Sequence, residues 1–128
     1  MNLLLDTHVL IWSLENNVKL SGDARDAIIE GKNMIFVSAV SAWEISIKTA
    51  MGKLAAPDNL QEEIEIHRFT PLNINFYHAQ LAGALPNIHK DPFDRMLIAQ
   101  AMIEKLTIIT NDSLIPLYDV DFLKASLP

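Results

Sequence analysis

The chain contains no cysteine. Disulfides and thiolate metal sites are therefore excluded. It also lacks any apolar run of the roughly 18 residues that a membrane helix requires. The longest candidates, around residues 34–40 and 96–99, are broken by polar side chains. No cationic stretch precedes the N-terminal apolar run, so no signal peptide is expected. Positive charge is scarce as well: 10 Lys and Arg stand against 16 Asp and Glu, for a net charge of −6. A protein that gripped nucleic acid by a basic patch alone would carry the opposite sign. The acid surplus counts less against such a partner if several carboxylates are metal ligands, because a bound divalent cation cancels their charge locally. It also suits a basic protein partner. Repeats, low-complexity tracts and linkers are absent. What remains is 128 residues, half of them apolar, the size and composition of one domain, residues 1–128, with a well-buried core. A soluble, cytoplasmic protein is the expectation.

The apolar residues come in short runs separated by helical patterns. Residues 2–5 are an unalternating apolar run that stops at Asp6-Thr7, as a strand buried on both faces would. A helix is expected from Thr7 to about Leu14. Ser21-Gly22-Asp23 opens a second that Gly31 closes. Residues 34–37 read as the next strand. A helix capped by Ser38 or Ser41 then runs to about Met51, with Val40, Trp43, Ile47, Ala50 or Met51, and Leu54 as its buried stripe. Asp58 caps a short helix. Residues 69–72 form a strand near a sheet edge, since Pro71 cannot donate to a ladder. Asn73 or Asn75 opens a helix to Leu85. Asp91-Pro92-Phe93-Asp94 is an acid–Pro–acid helix start, and the helix continues through Met102. Strands follow at 106–110 and 122–125, with a short helix between them that starts at Asn111-Asp112-Ser113 and is limited by Pro116. Strands alternating with helices imply βαβ units and a parallel sheet covered on both faces.

In an open parallel sheet, ligands bind outside the carboxyl ends of the strands. Asp6 follows the first strand. Asp112 follows the fourth with one residue between. Asp94 lies in the first turn of the helix that feeds the fourth strand, and so at the same end. Glu44 lies about one turn into the helix after the second strand. Three crossovers can thus deliver four carboxylates to one cleft. Hard oxygen ligands suit Mg²⁺ or Mn²⁺. Bunched carboxylates resist full ionisation without a cation, and a metal there would activate a water for in-line attack on a phosphodiester. Each acid also has an ordinary alternative: Asp6 and Asp112 as helix caps, Asp91 with Asp94 as a cap and its N3 partner, and Glu44 as the i,i+4 partner of Lys48. For Asp91 the cap is the favoured reading. The alternatives weaken jointly, because all four acids fall at one end of one sheet.

Four stretches carry a resemblance: Leu3-Leu4-Leu5-Asp6-Thr7-His8; Ser38-Ala39-Val40-Ser41-Ala42-Trp43-Glu44-Ile45; the long block from His89 through Asp91-Pro92-Phe93-Asp94-Arg95 to Ala101; and Ile109-Thr110-Asn111-Asp112. In this order the chain resembles PIN-domain ribonucleases of the VapC type, the toxins of prokaryotic toxin–antitoxin pairs, with the third block the most specific. The resemblance spans nearly the whole chain. It implies an α/β/α sandwich with strand order 3-2-1-4-5, Mg²⁺ or Mn²⁺ binding, and endoribonuclease activity. It maps the family's acids onto Asp6, Glu44, Asp94 and Asp112, with Thr7, Thr110 and Asp91 in support. It further implies inhibition by a small cognate antitoxin and a homodimer, for which the apolar stretches 39–54 and 64–72 could supply a face.

Lys48, Lys90 and Arg95 lie in or beside these blocks and are candidate RNA phosphate contacts. His8 and His89 are expected to be bystanders, since a metal-activated water needs no histidine. Trp12 and Trp43 are expected in the core rather than as stacking platforms. Two rivals remain. A phosphatase of the haloacid-dehalogenase type would want a second Asp where His8 stands, and a receiver-type phospho-acceptor an acid pair and a lysine where Asp6 stands alone and Asn111 follows Thr110. A non-catalytic binding module would use every acid only as a cap.

Overall fold

Strand β1 (Asn2–Leu5) sits at the centre of the sheet, and its Leu3, Leu4 and Leu5 are fully buried. The computed structural model describes residues 1–126. Five strands pair in the order β3-β2-β1-β4-β5, with β2 spanning Met34–Ser38, β3 Thr70–Leu72, β4 Thr107–Thr110 and β5 Phe122–Lys124. Every pairing is parallel. This is the PIN-like α/β architecture and strand order expected from the sequence. β3 lies at an edge, where the missing N–H of Pro71 is tolerated.

Side chains alternate across each strand, and this divides the interior in two. Leu3, Leu5, Ile35, Val37 and Ile109 point into one hydrophobic cluster together with Val9, Leu10, Ala24 and Ile28. Leu4 and Ile108 point into the other with Ala82, Leu97, Ile98 and Ala101. Helices α1 (Thr7–Glu15), α2 (Gly22–Ile29) and α4 (Leu60–Ile66) cover the first face. Helices α5 (Phe76–Ala84) and α6 (Pro92–Glu104) cover the second. α3 (Ala39–Ala50) serves both, with Ile45 in the first cluster and Val40 in the second. No helix among the described residues is long and apolar enough to cross a membrane.

Several boundaries differ from expectation. α3 buries Val40, Ser41, Glu44 and Ile45, so its inward stripe is turned from the one predicted through Trp43 and Ile47. Trp43 is 60 % exposed and meets Phe93 edge-on at 5.3 Å. An apolar-only count misplaced the stripe because two inward positions, Ser41 and Glu44, are polar. α2 ends at Ile29, before Gly31. α4 starts after Asn59, one residue beyond the expected Asp58 cap. After Asp112 the chain makes a single 3₁₀ turn, Ile115–Leu117, which contains Pro116 rather than ending before it.

The register sets the functional edge. Leu5 is level with Val37 and with Ile109. Asp6, Ser38 and Thr110 therefore sit side by side at the carboxyl ends of the three central strands. α1 and α3 begin there at once. α6 returns to β4 antiparallel to the sheet, so its first turn, with Asp94, starts at the same edge.

Candidate active site

Asp6, Thr7, His8, Trp12, Lys19, Glu44, Lys48, His89, Asp91, Asp94, Asn111 and Asp112 line one cavity of about 530 Å³ at that edge. All four predicted acids are among them. They are not equivalent. The tightest group among the described residues is His89, Asp94 and Asp112, each with one ligand atom within 4.8 Å of the others. Asp6 and Glu44 line the cavity outside that group.

Asp6 caps α1: its Oδ1 accepts from the Val9 N–H at 2.8 Å. Its Oδ2 accepts from the Thr110 hydroxyl at 2.5 Å. The Thr110 oxygen in turn accepts from the Asp112 N–H at 2.9 Å, so one threonine ties the acid after β1 to the acid after β4. Burial pushes the Asp6 carboxyl above the usual carboxylate range, against the opposing effect of the Thr110 and Val9 hydrogen bonds. Thr7 is buried and donates to Ser41 at 3.0 Å, which fixes α1 against α3.

Asp112 shows the same division of labour. Its Oδ1 accepts from the N–H groups of Leu114 and Ile115 at 2.8 and 3.0 Å. Its Oδ2 faces His89 at 3.1 Å. Burial raises this group, but the two backbone donors and His89 outweigh it and hold Asp112 below its ordinary value. The cap and the site are thus both real, because a carboxylate has two oxygens. Asp91 likewise spends Oδ1 on the N–H groups of Phe93 and Asp94 as the cap of α6, and it too lines the cavity.

Asp94 is the perturbed member. Burial first, then repulsion from Asp91 and Asp112, raises its carboxyl to about 7, with His89 opposing. Glu44 is only 5 % exposed and is ion-paired with Lys48. That contact holds the Lys48 ammonium above its usual range.

The candidate RNA contacts fare differently. Lys48 lines the cavity, whereas Lys90 is exposed and is not part of its lining. Arg95 has another task. Nε donates to the Ala82 carbonyl, and the terminal nitrogens donate to the carbonyls of Gly83, Leu85, Pro86 and His89. Five donors are spent on five carbonyls at the end of α5 and in the loop after it, so the guanidinium of Arg95 is committed within the fold, and Arg95 is not among the residues that line the cavity. Sequence reasoning undervalued His89 and did not single out Lys19 or Tyr118. The Tyr118 hydroxyl accepts from the His89 N–H and donates to the Pro86 carbonyl, each at 2.7 Å. His89 stands beside Asp91 in the chain, which was a visible signal; Tyr118 reaches the site only through the fold. Trp12 is half-buried against the core and also lines the cavity, with His8 beside it at 6.5 Å between ring centroids.

The donor chemistry fits a hard divalent cation: carboxylate oxygens converge, and one is held from ionising fully by burial and by its acidic neighbours. A parallel sheet in order 3-2-1-4-5 with acids gathered at its carboxyl edge defines a class of α/β proteins that PIN domains exemplify. A family model for the PIN domain matches residues 3–123, and the chain belongs to that family. PIN domains are typically nucleases and generally use divalent metals. Several solved structures share the fold. The chain is 16 % identical to a chain of VapBC2 from Rickettsia felis, solved bound to a promoter DNA fragment, with a TM-score of 0.70 over 98 % of this chain and 100 % of that one. DNA-bound VapBC from Salmonella typhimurium gives 19 %, 0.68, and 96 % and 97 %. FitAcB from Neisseria gonorrhoeae gives 18 %, 0.62, and 95 % and 96 %. No curated protein matches.

Proposed function

We propose that this chain is a metal-dependent endoribonuclease, the toxin of a VapC-type toxin–antitoxin pair, acting as a single PIN-like domain in the cytoplasm. The observation that carries the reading is Asp94. A carboxylate raised to about 7 by burial first and by the neighbouring carboxylates Asp91 and Asp112 next, in a cavity lined by further acids, is a site short of positive charge, and perturbed groups of this kind in a cleft mark functional sites. Asp94 and Asp112 would hold Mg²⁺ or Mn²⁺ with the help of Asp6 and Glu44. When bound, the ion would lower the pKa of a water and offset charge on the phosphate under attack. Asp6, fixed from both sides by Val9 and Thr110, orients its carboxylate at the strand end. Lys48 and Lys19 at the rim supply positive charge for the phosphate backbone. The acid-lined cavity suits a basic side chain from a small antitoxin, and the exposed Trp43, Met51 and Ile66 lie on the stretches expected to form a homodimer.

The test is cleavage of RNA by the purified chain, free of any antitoxin, with Mg²⁺ or Mn²⁺. Activity that stops with EDTA and with Asp6→Asn supports the proposal. An intact substrate at every metal concentration would refute it.

A further inference from the structure

His89 is 7 % exposed and its orientation is fixed at both ends of the ring. The Asp91 backbone N–H reaches Nδ1 at 3.2 Å. A backbone N–H can only donate, so Nδ1 is the bare, accepting nitrogen, and in the neutral imidazole the proton sits on Nε2. Nε2 lies 3.1 Å from Asp94 Oδ2 and 3.1 Å from Asp112 Oδ2. Both are acceptors. A lone pair on Nε2 would face both oxygens, whereas an N–H there donates to Asp112 and leaves Asp94 Oδ2 beside it at the same distance. The two ends of the ring thus demand the same tautomer. The backbone around it is clamped: the His89 N–H donates to Tyr118 Oη, and the His89 carbonyl accepts from Arg95 at 3.0 Å.

The geometry points to His89 as a positioning residue: its Nε2–H, donated to Asp112 with Asp94 Oδ2 at the same 3.1 Å, holds the two carboxylates side by side for a divalent cation, and His89 is not itself a ligand. Ligation through Nε2 would need that nitrogen bare and the proton on Nδ1, directly opposed to the Asp91 N–H. Histidine in a metal-site cluster is commonly read as a ligand. Here the backbone of the α6 cap decides against it. The inference rests on the metal-nuclease reading above and names which of the clustered groups bind the ion and which holds them.

Two measurements test it. Long-range ¹H–¹⁵N spectra of the histidine-labelled wild-type chain, metal-free and with saturating Mg²⁺, report which ring nitrogen bears the proton. A protonated Nε2 and bare Nδ1 in both states is the expected result. A bare Nε2 in the Mg²⁺-loaded chain would make His89 a ligand and overturn the assignment. Mn²⁺ affinity, read by electron paramagnetic resonance, is then compared for wild type, His89→Gln and His89→Met. Loss of such a supporting hydrogen bond costs about 10–100-fold in metal affinity, so His89→Met binds Mn²⁺ that much more weakly. His89→Gln, which retains an N–H donor, recovers most of the loss. Wild-type affinity in His89→Met, or a Gln variant as weak as the Met variant, would overturn the donor role. Circular dichroism checks that the variants fold; should they not, the wild-type spectra decide alone. A wild-type chain that binds no Mn²⁺ would instead overturn the metal reading and this inference with it, an outcome distinct from binding that is indifferent to residue 89.

Discussion

Replacing Asp94 by Asn should stabilise the metal-free protein while destroying its response to metal. Asp94 stands at about 7 against 3.8 for the free side chain, with burial the largest cause and Asp91 and Asp112 next. At about 1.4 kcal/mol per pH unit that gap corresponds to about 4 kcal/mol of lost stability at alkaline pH. The repulsion is shared with Asp112 and Asp91, and the side chain is 20 % exposed; solvent screening then brings the figure to about 2 kcal/mol. The sign follows from proton binding. The folded state holds this proton more tightly than the unfolded chain, so the penalty is absent below about pH 4, grows as pH rises, and is complete above about pH 7. Asn carries no charge and escapes it, yet its amide oxygen can take the place of Oδ2, 3.1 Å from His89 Nε2. In EDTA at pH 8, Asp94→Asn should melt about 7 °C above wild type, taking about 3–4 °C per kcal/mol for a chain of this size. At pH 4.5, less than one unit above the free side chain's value, the difference should fall to about half. Saturating Mn²⁺ should reverse the order, since a ligand at about 100 times its Kd adds about 2.7 kcal/mol to wild type alone. A variant no more stable than wild type at pH 8, or a gap of equal size at pH 4.5, would refute the electrostatic reasoning.

Three further outcomes follow from the contacts. Asp6→Asn keeps an oxygen for the Val9 N–H and should melt within about 1 kcal/mol of wild type, while RNA cleavage and Mn²⁺ stabilisation disappear; an unfolded variant would show that Asp6 is only a cap. Tyr118→Phe strands the buried His89 N–H, while the Pro86 carbonyl keeps Arg95 and Ile88 as donors, and should cost about 1–3 kcal/mol in urea unfolding, with weaker Mn²⁺ binding because His89 loses an anchor. Arg95→Lys cannot serve five carbonyls from one ammonium. It should lose about 2 kcal/mol of stability but leave RNA affinity unchanged in the Asp6→Asn background; a selective drop in RNA binding would return Arg95 to the phosphate contacts.

Chain order and side-chain type alone determined a good deal here. Unalternating apolar runs such as Leu3-Leu4-Leu5 can be satisfied only between two helical layers, and regular alternation of strand and helix leaves a parallel sheet as the natural solution. The acids could be assigned to one edge because in a parallel sheet every strand ends on the same side. Pro71 marked an edge strand for a reason local to its own backbone. Other features needed the fold, because they depend on how elements are rotated and where separate loops meet. The inward face of α3 is set by packing against α1 and α6, so Glu44 turns in while Trp43 turns out. Arg95 sits in the most family-specific block beside the acids, yet its guanidinium goes to the end of α5, a choice made by five carbonyls that no spacing reveals. The acids are both caps and cavity groups, which a residue type cannot state but two carboxylate oxygens can. His89 changed most. In the sequence it was one imidazole in a loop; in the folded chain the Asp91 N–H on one side and two carboxylates on the other leave it a single tautomer, and so a single role.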